Sequence, residues 1–288
     1  MTTPEVRGAD RVDELLEAVR RAGVPDDLSV DELLTACHER GGTVLALEHV
    51  GVVALAVGRG PSGDLVASVR LVVAEPEAAV DDPLDVLLTV AEDWARERAA
   101  DRIVLHGDLP FALWPGVVVD SPLVAVTAAR GWESGAAWDS YRVPVGFRSD
   151  PPPGVTVRRA VHDDDVARVL VAASASWPRR SDEIARALEH GTCHVAVGQC
   201  DGDTVVLGVA THSIARAGWV GPLVVVDEAR RRGVGHALLG QVCRDLMIAE
   251  FPHLIVGDAS DDVVRSFVEA AGAEPDVRWV RVERRLDR

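Results

Sequence analysis

The segment LVVVDEARRRGVGHALLGQVC, residues 223–243, carries the densest chemical signal in the chain. An apolar run containing Leu223, Val224 and Val225 leads into Arg230, Arg231, Arg232, Gly233, Val234, Gly235 and His236, and then into helical spacing. This is the make-up of an anion site. Glycines let the backbone turn and approach a ligand closely, the first N–H groups of a helix lack partners, and the aligned peptide dipoles favour negative charge there. Each end effect contributes only about 0.3–1 kcal/mol, so the natural ligand is one that engages several at once, such as a pyrophosphate. The plainer reading of the hexapeptide alone is a glycine turn beside a solvated arginine patch. A dinucleotide fingerprint is excluded, because its third glycine would fall on Leu238.

The elements that must position this loop read clearly in the second half. Strands are expected at Val155–Arg159, Cys193–Gly198, Val205–Ser213, Trp219–Val226, Leu254–Gly257 and Val277–Val282. Helices are expected at His162–Ala175, Ser181–His190, Gly235–Ala249 and Asp261–Ala271, with Ser260 expected to cap the last. Asp163, Asp164 and Asp165 suit a helix N-terminus. The first half repeats most of this order, with Ile103 matching Ile255 and Gly131 matching Gly272. About eleven extra residues fall in the loop LPFALWPGVV, which carries Phe111 and Trp114. The pattern is a tandem duplication of one α/β unit. The proline run in residues 148–154 is the expected linker between domains 1–147 and 155–288.

Composition narrows the chemistry. The chain has 288 residues and a net charge of −16, and all 30 of its basic residues are arginine. Schiff-base, P-loop and kinase-type lysine chemistry is therefore excluded. An acidic chain is not a nucleic-acid binder by bulk electrostatics. The acidic surplus lies mostly in residues 1–150, where it either solubilises the surface or attracts a cationic substrate. The four cysteines lack C-x-x-C spacing, no metal-ligand pattern stands out, and no apolar stretch approaches membrane length. The expectation is a reduced, cytoplasmic protein without a membrane partner, monomeric or homodimeric.

Arg230, Gly233 and Gly235 fill the defined positions of R/Q-x-x-G-x-G/A, and SFVEAAGA stands where FYEKxGF is usual. In these motifs, their separation and the element order of residues 151–288, the chain resembles the GCN5-related N-acetyltransferase (GNAT) superfamily. The resemblance implies two tandem α/β (α+β) units, each with a mixed, mostly antiparallel sheet flanked by helices. It also implies acetyl-CoA as co-substrate, held by the 223–236 segment, and a primary amine of a small metabolite or antibiotic as acceptor. At the corresponding place the first half has Asp81 and Asp82 and no glycine, so it resembles a degenerate unit without a cofactor loop. Expected bases are His212, near the end of the strand Val205–Ser213, and Asp258, at the end of the strand Leu254–Gly257. The family's tyrosine acid is replaced by Val268, and the one tyrosine, Tyr141, falls in the first half. Two other readings stay open: a tandem enzyme resembling mycothiol synthase, and a non-catalytic acyl-CoA-binding regulator.

Overall fold

The computed structural model describes residues 6–8, 28–38, 42–60, 62–78, 80–107 and 110–287. The chain is mixed α/β and forms two compact units, Met1–Ala137 with Arg278–Arg288, and Trp138–Val277.

The first unit contains β1 (Val6–Gly8), α1 (Val30–His38), β2 (Gly42–Leu47), β3 (Gly51–Arg59), β4 (Leu65–Ala74), α2 (Pro83–Glu97), β5 (Arg102–Leu105), β6 (Val117–Val118) and α3 (Pro122–Ala129). Strands β1 to β4 pair antiparallel in order, and β5 then pairs parallel to β4. Helix α2 has a start legible in sequence: Asp82 accepts the Asp85 N–H, and Pro83 occupies the first turn. Its buried stripe of Leu87, Leu88, Ala91, Trp94 and Ala95 packs with Val53, Leu55, Ala67 and Val69 from the sheet.

The second unit contains β8 (Thr156–Arg159), α4 (Asp163–Ser176), α5 (Ser181–Glu189), β9 (Cys193–Cys200), β10 (Asp203–His212), β11 (Val220–Val225), α6 (Val234–Ile248), β12 (His253–Val256) and α7 (Asp262–Glu269). Strands β8 to β11 form an antiparallel sheet. The β9–β10 turn puts Asp201 and Gly202 at positive φ, as a two-residue hairpin requires. Matched elements have equal lengths: α2 and α6 each span 15 residues, α3 and α7 each 8. The duplication is thus visible as structure.

The last two strands, β7 (Glu133–Pro144) and β13 (Glu274–Arg285), depart from the expected linear division. Residues Tyr141–Pro144 pair antiparallel with β12, whereas Val282–Arg285 pair antiparallel with β5. Each unit therefore takes its final strand from the other half of the sequence. Tyr141 and Val143 are buried in the second unit's core, and Val280 and Val282 in the first's. Strand alternation fixes which face is apolar but not which partner is chosen, so residues 138–144 were misplaced in sequence. The proline segment also belongs to the second unit, where a Cβ on Gly240 of α6 would lie 3.2 Å from Ser149 N. Asp163, Asp164 and Asp165 lie in the first turn of α4 as expected, and Asp165 is also buried in a bidentate pair with Arg158 at 2.6 and 2.8 Å. One local reading changes: Asp261, not Ser260, caps α7.

Candidate functional site

Among the described residues a single parallel bridge joins β11 and β12: Trp219, just before β11, pairs with Ile255 of β12, whose N–H donates to Gly218 O at 2.9 Å. Beyond that point, among the described residues, β11 pairs with β10 and β12 with β7. Leu223, Val224, Val225 and Val226 stay half-buried. Gly221 and Pro222 together oppose Thr211, a bulge that bends β11. Only glycine fits there, since a Cβ on Gly221 would lie 2.4 Å from Thr211 Oγ1. A strand parted from its neighbour offers backbone groups to an extended ligand arm.

At the end of β11 a turn at Asp227–Ala229 reverses the chain. Arg231 and Gly233 take positive φ, 58° and 85°, and Gly233 starts α6 without a side-chain cap. The first N–H groups of α6, on Val234, Gly235 and His236, point out of the helix end without an intrahelical partner. A Cβ on Gly233 would meet nothing within 4 Å, so the approach is open. The side chains divide the work differently from the sequence expectation. Arg230 is tied back, donating to Val225 O at 3.2 Å and pairing with Asp227 at 3.0 Å. Arg231 and Arg232 are exposed, and Val234 is buried. The His236 ring stacks on Phe267 at 4.5 Å and donates from Nε2 to Phe267 O at 3.0 Å, pinning α6 to α7. His236 thus offers its backbone N–H at the loop and not its imidazole. The uncapped, glycine-led helix end beside a parted strand fits a pyrophosphate with an extended arm.

The first unit treats the matching place in the opposite way. The Asp82 carboxylate already takes an N–H at the start of α2, and Pro83 removes another donor. Beyond Val69 the space beside β4 is filled by the extra loop. Leu113 packs against Leu71 and Val73, and Phe111 is buried. The Arg70 guanidinium donates to the carbonyls of Ala36, Phe111 and Pro110, holding that loop in place. The extra aromatic loop thus packs into the core of its own unit. His106 there accepts no easy charge: burial lowers it to about 4.

The expected bases are not brought together. Asp258 is exposed after β12, where Oδ1 accepts from Ser260 Oγ at 2.7 Å and from Ser260 N at 3.2 Å. Burial works against the charge of Arg180, but Glu183 and Asp258 outweigh it and raise its pKa. His212 is buried, with Nδ1 3.1 Å from Ser213 Oγ and Nε2 3.3 Å from Asp245 Oδ2. The same Oδ2 receives His194 Nε2 at 2.9 Å and Arg159 Nη2. Burial alone would raise the Asp245 carboxyl, but hydrogen bonds from His194 and His212 and the charge of Arg159 hold it well below the usual carboxylate range. Sequence reading missed this cluster because its members come from four elements and share no local spacing. Val268 is fully buried, and Tyr141, now in the second unit, donates its hydroxyl to Glu269 Oε1 at 3.2 Å. Burial and Glu269 raise the Tyr141 pKa. Cys37, Cys193 and Cys243 are buried thiols pushed up to about 12, which keeps them unreactive at neutral pH. Among the described residues no helix is long and apolar enough to cross a membrane.

No family model and no curated relative matches the sequence. Solved structures do match in fold. One is a GCN5-related glucosamine N-acetyltransferase region of a fungal multi-domain GH3 β-N-acetylglucosaminidase, at 15% identity and a TM-score of 0.76. It covers 98% of this chain, which spans 38% of that longer protein. A tandem GNAT protein from the clavulanic acid biosynthesis pathway matches over 97% of both chains at 18% identity and a TM-score of 0.69. A GCN5-related N-acetyltransferase from Sphaerobacter thermophilus matches over 98% of this chain and 95% of its own at 14% identity and a TM-score of 0.65. Two matched α/β units, one open and glycine-led and one filled and capped, thus give this chain the fold of a tandem GCN5-related N-acetyltransferase.

Proposed function

We propose that this chain is an N-acyltransferase that uses one acyl-CoA per chain, bound in the second unit, and acylates a primary amine of a small molecule. The observation that carries the reading is the contrast between the two helix starts: α6 is uncapped behind a glycine turn, and α2 is capped by Asp82 and proline-led. The backbone N–H groups of Val234, Gly235 and His236 would hold the pyrophosphate, and Leu223–Val225 would pair with the pantetheine arm. When bound, the cofactor supplies an activated acyl thioester. Acetyl is the expected acyl group.

The protein must supply proton management. An alkylammonium of pKa about 10.4 loses its proton at pH 7 at a cost of roughly 4.6 kcal/mol. Of the two expected bases, Asp258 is the one that meets solvent beside the parted strands. We assign it to receive that proton through water, its Oδ1 held by Ser260. The His212 nitrogens are engaged inside the protein, which favours a structural place for it. A sugar amine suits the acceptor role, in keeping with the glucosamine N-acetyltransferase likeness. The test is thiol release from acetyl-CoA with a panel of primary amines, including amino sugars. Turnover that falls at least tenfold in kcat in Asp258→Asn, with unchanged acetyl-CoA affinity, is expected. Tight acetyl-CoA binding without turnover on any amine would replace this reading with that of an acyl-CoA-binding regulator.

A further inference from the structure

Away from the parted strands, the second unit buries a cluster that acyl transfer does not use. His194 on β9 and His212 at the end of β10 project toward Asp245 in the last turns of α6, and Arg159 reaches it from the end of β8. Both histidines are buried, and Asp245 is nearly so. Nε2 of each imidazole lies on the same carboxylate oxygen, at 2.9 and 3.3 Å, and the three atoms all fall within 4.8 Å of one another. We propose that His194 Nε2, His212 Nε2 and Asp245 Oδ2 form a site for a divalent transition-metal ion of the zinc class, which Arg159 occupies as a competing cation when no ion is bound.

The spacing is the first argument. Ligands bonded at about 2.0–2.1 Å in a tetrahedral site sit about 3.3 Å from one another. The His212 separation of 3.3 Å already matches this, and the His194 separation of 2.9 Å has only to open by about 0.4 Å. Donor chemistry is the second argument, since two imidazoles and a carboxylate suit zinc, cobalt or nickel rather than calcium or magnesium.

Proton placement is the third. A metal needs Nε2 bare, so the single proton of each neutral imidazole must move to Nδ1. For His212 that nitrogen faces Ser213 Oγ at 3.1 Å, an oxygen that can accept it and so orient the ring from behind. For His194, Nδ1 is buried without a protein partner among the described residues, so a proton placed there is left unsatisfied, a cost that the bond from Nε2 to the ion must exceed.

Arg159 supplies the fourth. Its guanidinium sits on Asp245 Oδ2, where the ion would be, yet its side chain is 47% exposed. It can swing into solvent, opening the entry path and leaving one coordination position to water, as in an open three-ligand site. The bound ion would tie β9, β10 and α6 together and stabilise the fold by mass action.

The test is titration of the untagged full chain with Co(II), followed by the visible d–d absorption of a low-coordinate site, with melting curves in Zn(II). The parent is expected to bind one equivalent with a raised Tm. Arg159→Gln, which removes an exposed competitor, should bind about tenfold more tightly, and Asp245→Asn should lose the absorption. The other histidines are tested by the same series: binding that persists unchanged in Asp245→Asn lies elsewhere and overturns the proposal. So does the absence of both the absorption and the Tm shift in the parent and in Arg159→Gln.

Discussion

Replacing Gly235 by aspartate tests the anion cradle at its tightest point. A Cβ there would lie 3.2 Å from Phe267 Cε2, 3.6 Å from Cζ and 3.8 Å from Val225 Cγ2. Phe267 is held by its stack on His236, so it can yield only a few tenths of an ångström. The new carboxylate would also stand at the open start of α6, facing the bound pyrophosphate. Two unit charges about 5 Å apart repel by about 0.8 kcal/mol in water and about 3 kcal/mol at an effective dielectric of 20. An exposed helix end lies between these limits, so the loss should be at least about 1.4 kcal/mol, or tenfold in Kd. Gly235→Asn carries the same bulk without the charge and isolates the steric part. The helix itself does not suffer, because an acid in its first turn is favourable by about 0.3–1 kcal/mol. Calorimetry with acetyl-CoA at low and high salt reads the difference, which should shrink as salt screens it. If the aspartate and asparagine variants bind alike at low salt, the pyrophosphate does not sit at α6 and the reasoning fails.

Three further outcomes are expected. Asp165 is held below the usual carboxylate range by its hydrogen bonds from Arg158, despite burial, so the pair contributes stability above about pH 4 that is lost as pH falls through the lowered pKa. Arg158 is partly exposed and the pair is screened accordingly; Asp165→Asn should melt about 2–4 °C lower at pH 7, with the gap closing as pH falls below the ordinary carboxylate range, and a gap independent of pH would contradict this. Val282→Ala should cost about 1.5–3 kcal/mol and speed hydrogen exchange in Arg102–Leu105, while faster exchange in His253–Val256 instead would refute the strand assignment. Tyr141→Phe should leave the kcat–pH profile unchanged, since that hydroxyl is bound to Glu269; a falling limb above the ordinary tyrosine range that vanishes in the variant would make Tyr141 the proton donor to the departing thiolate.

The parts of this architecture that depend on local residue types were readable in sequence. Gly233 marked the turn into α6, where the chain takes a positive φ, and Gly235 the close packing against Phe267; the anion loop they would form belongs to the proposed function. Asp81 and Asp82 marked the start of α2 as a place that repels an anion; that Asp82 caps the helix is what the structure adds. The strand exchange was not readable, because the alternation of residues 138–144 is satisfied by any apolar partner edge. Nor was the role of Phe111 and Leu113, whose burial depends on where β4 runs out of neighbours. His194, Arg159 and Asp245 could have been found only by pairing β9 with β10 in register, which places Ala210 opposite His194 and brings His212 to the same end.

The central claim is that two matched units share the fold while one alone takes the cofactor. Isothermal calorimetry of the intact chain with acetyl-CoA tests it most directly. One site per chain is predicted, with Asp82→Gly leaving that stoichiometry unchanged because the loop around Phe111 and Leu113 still fills the first unit. Two equivalent sites per chain, or a single site that survives Gly235→Asp undiminished, would contradict it.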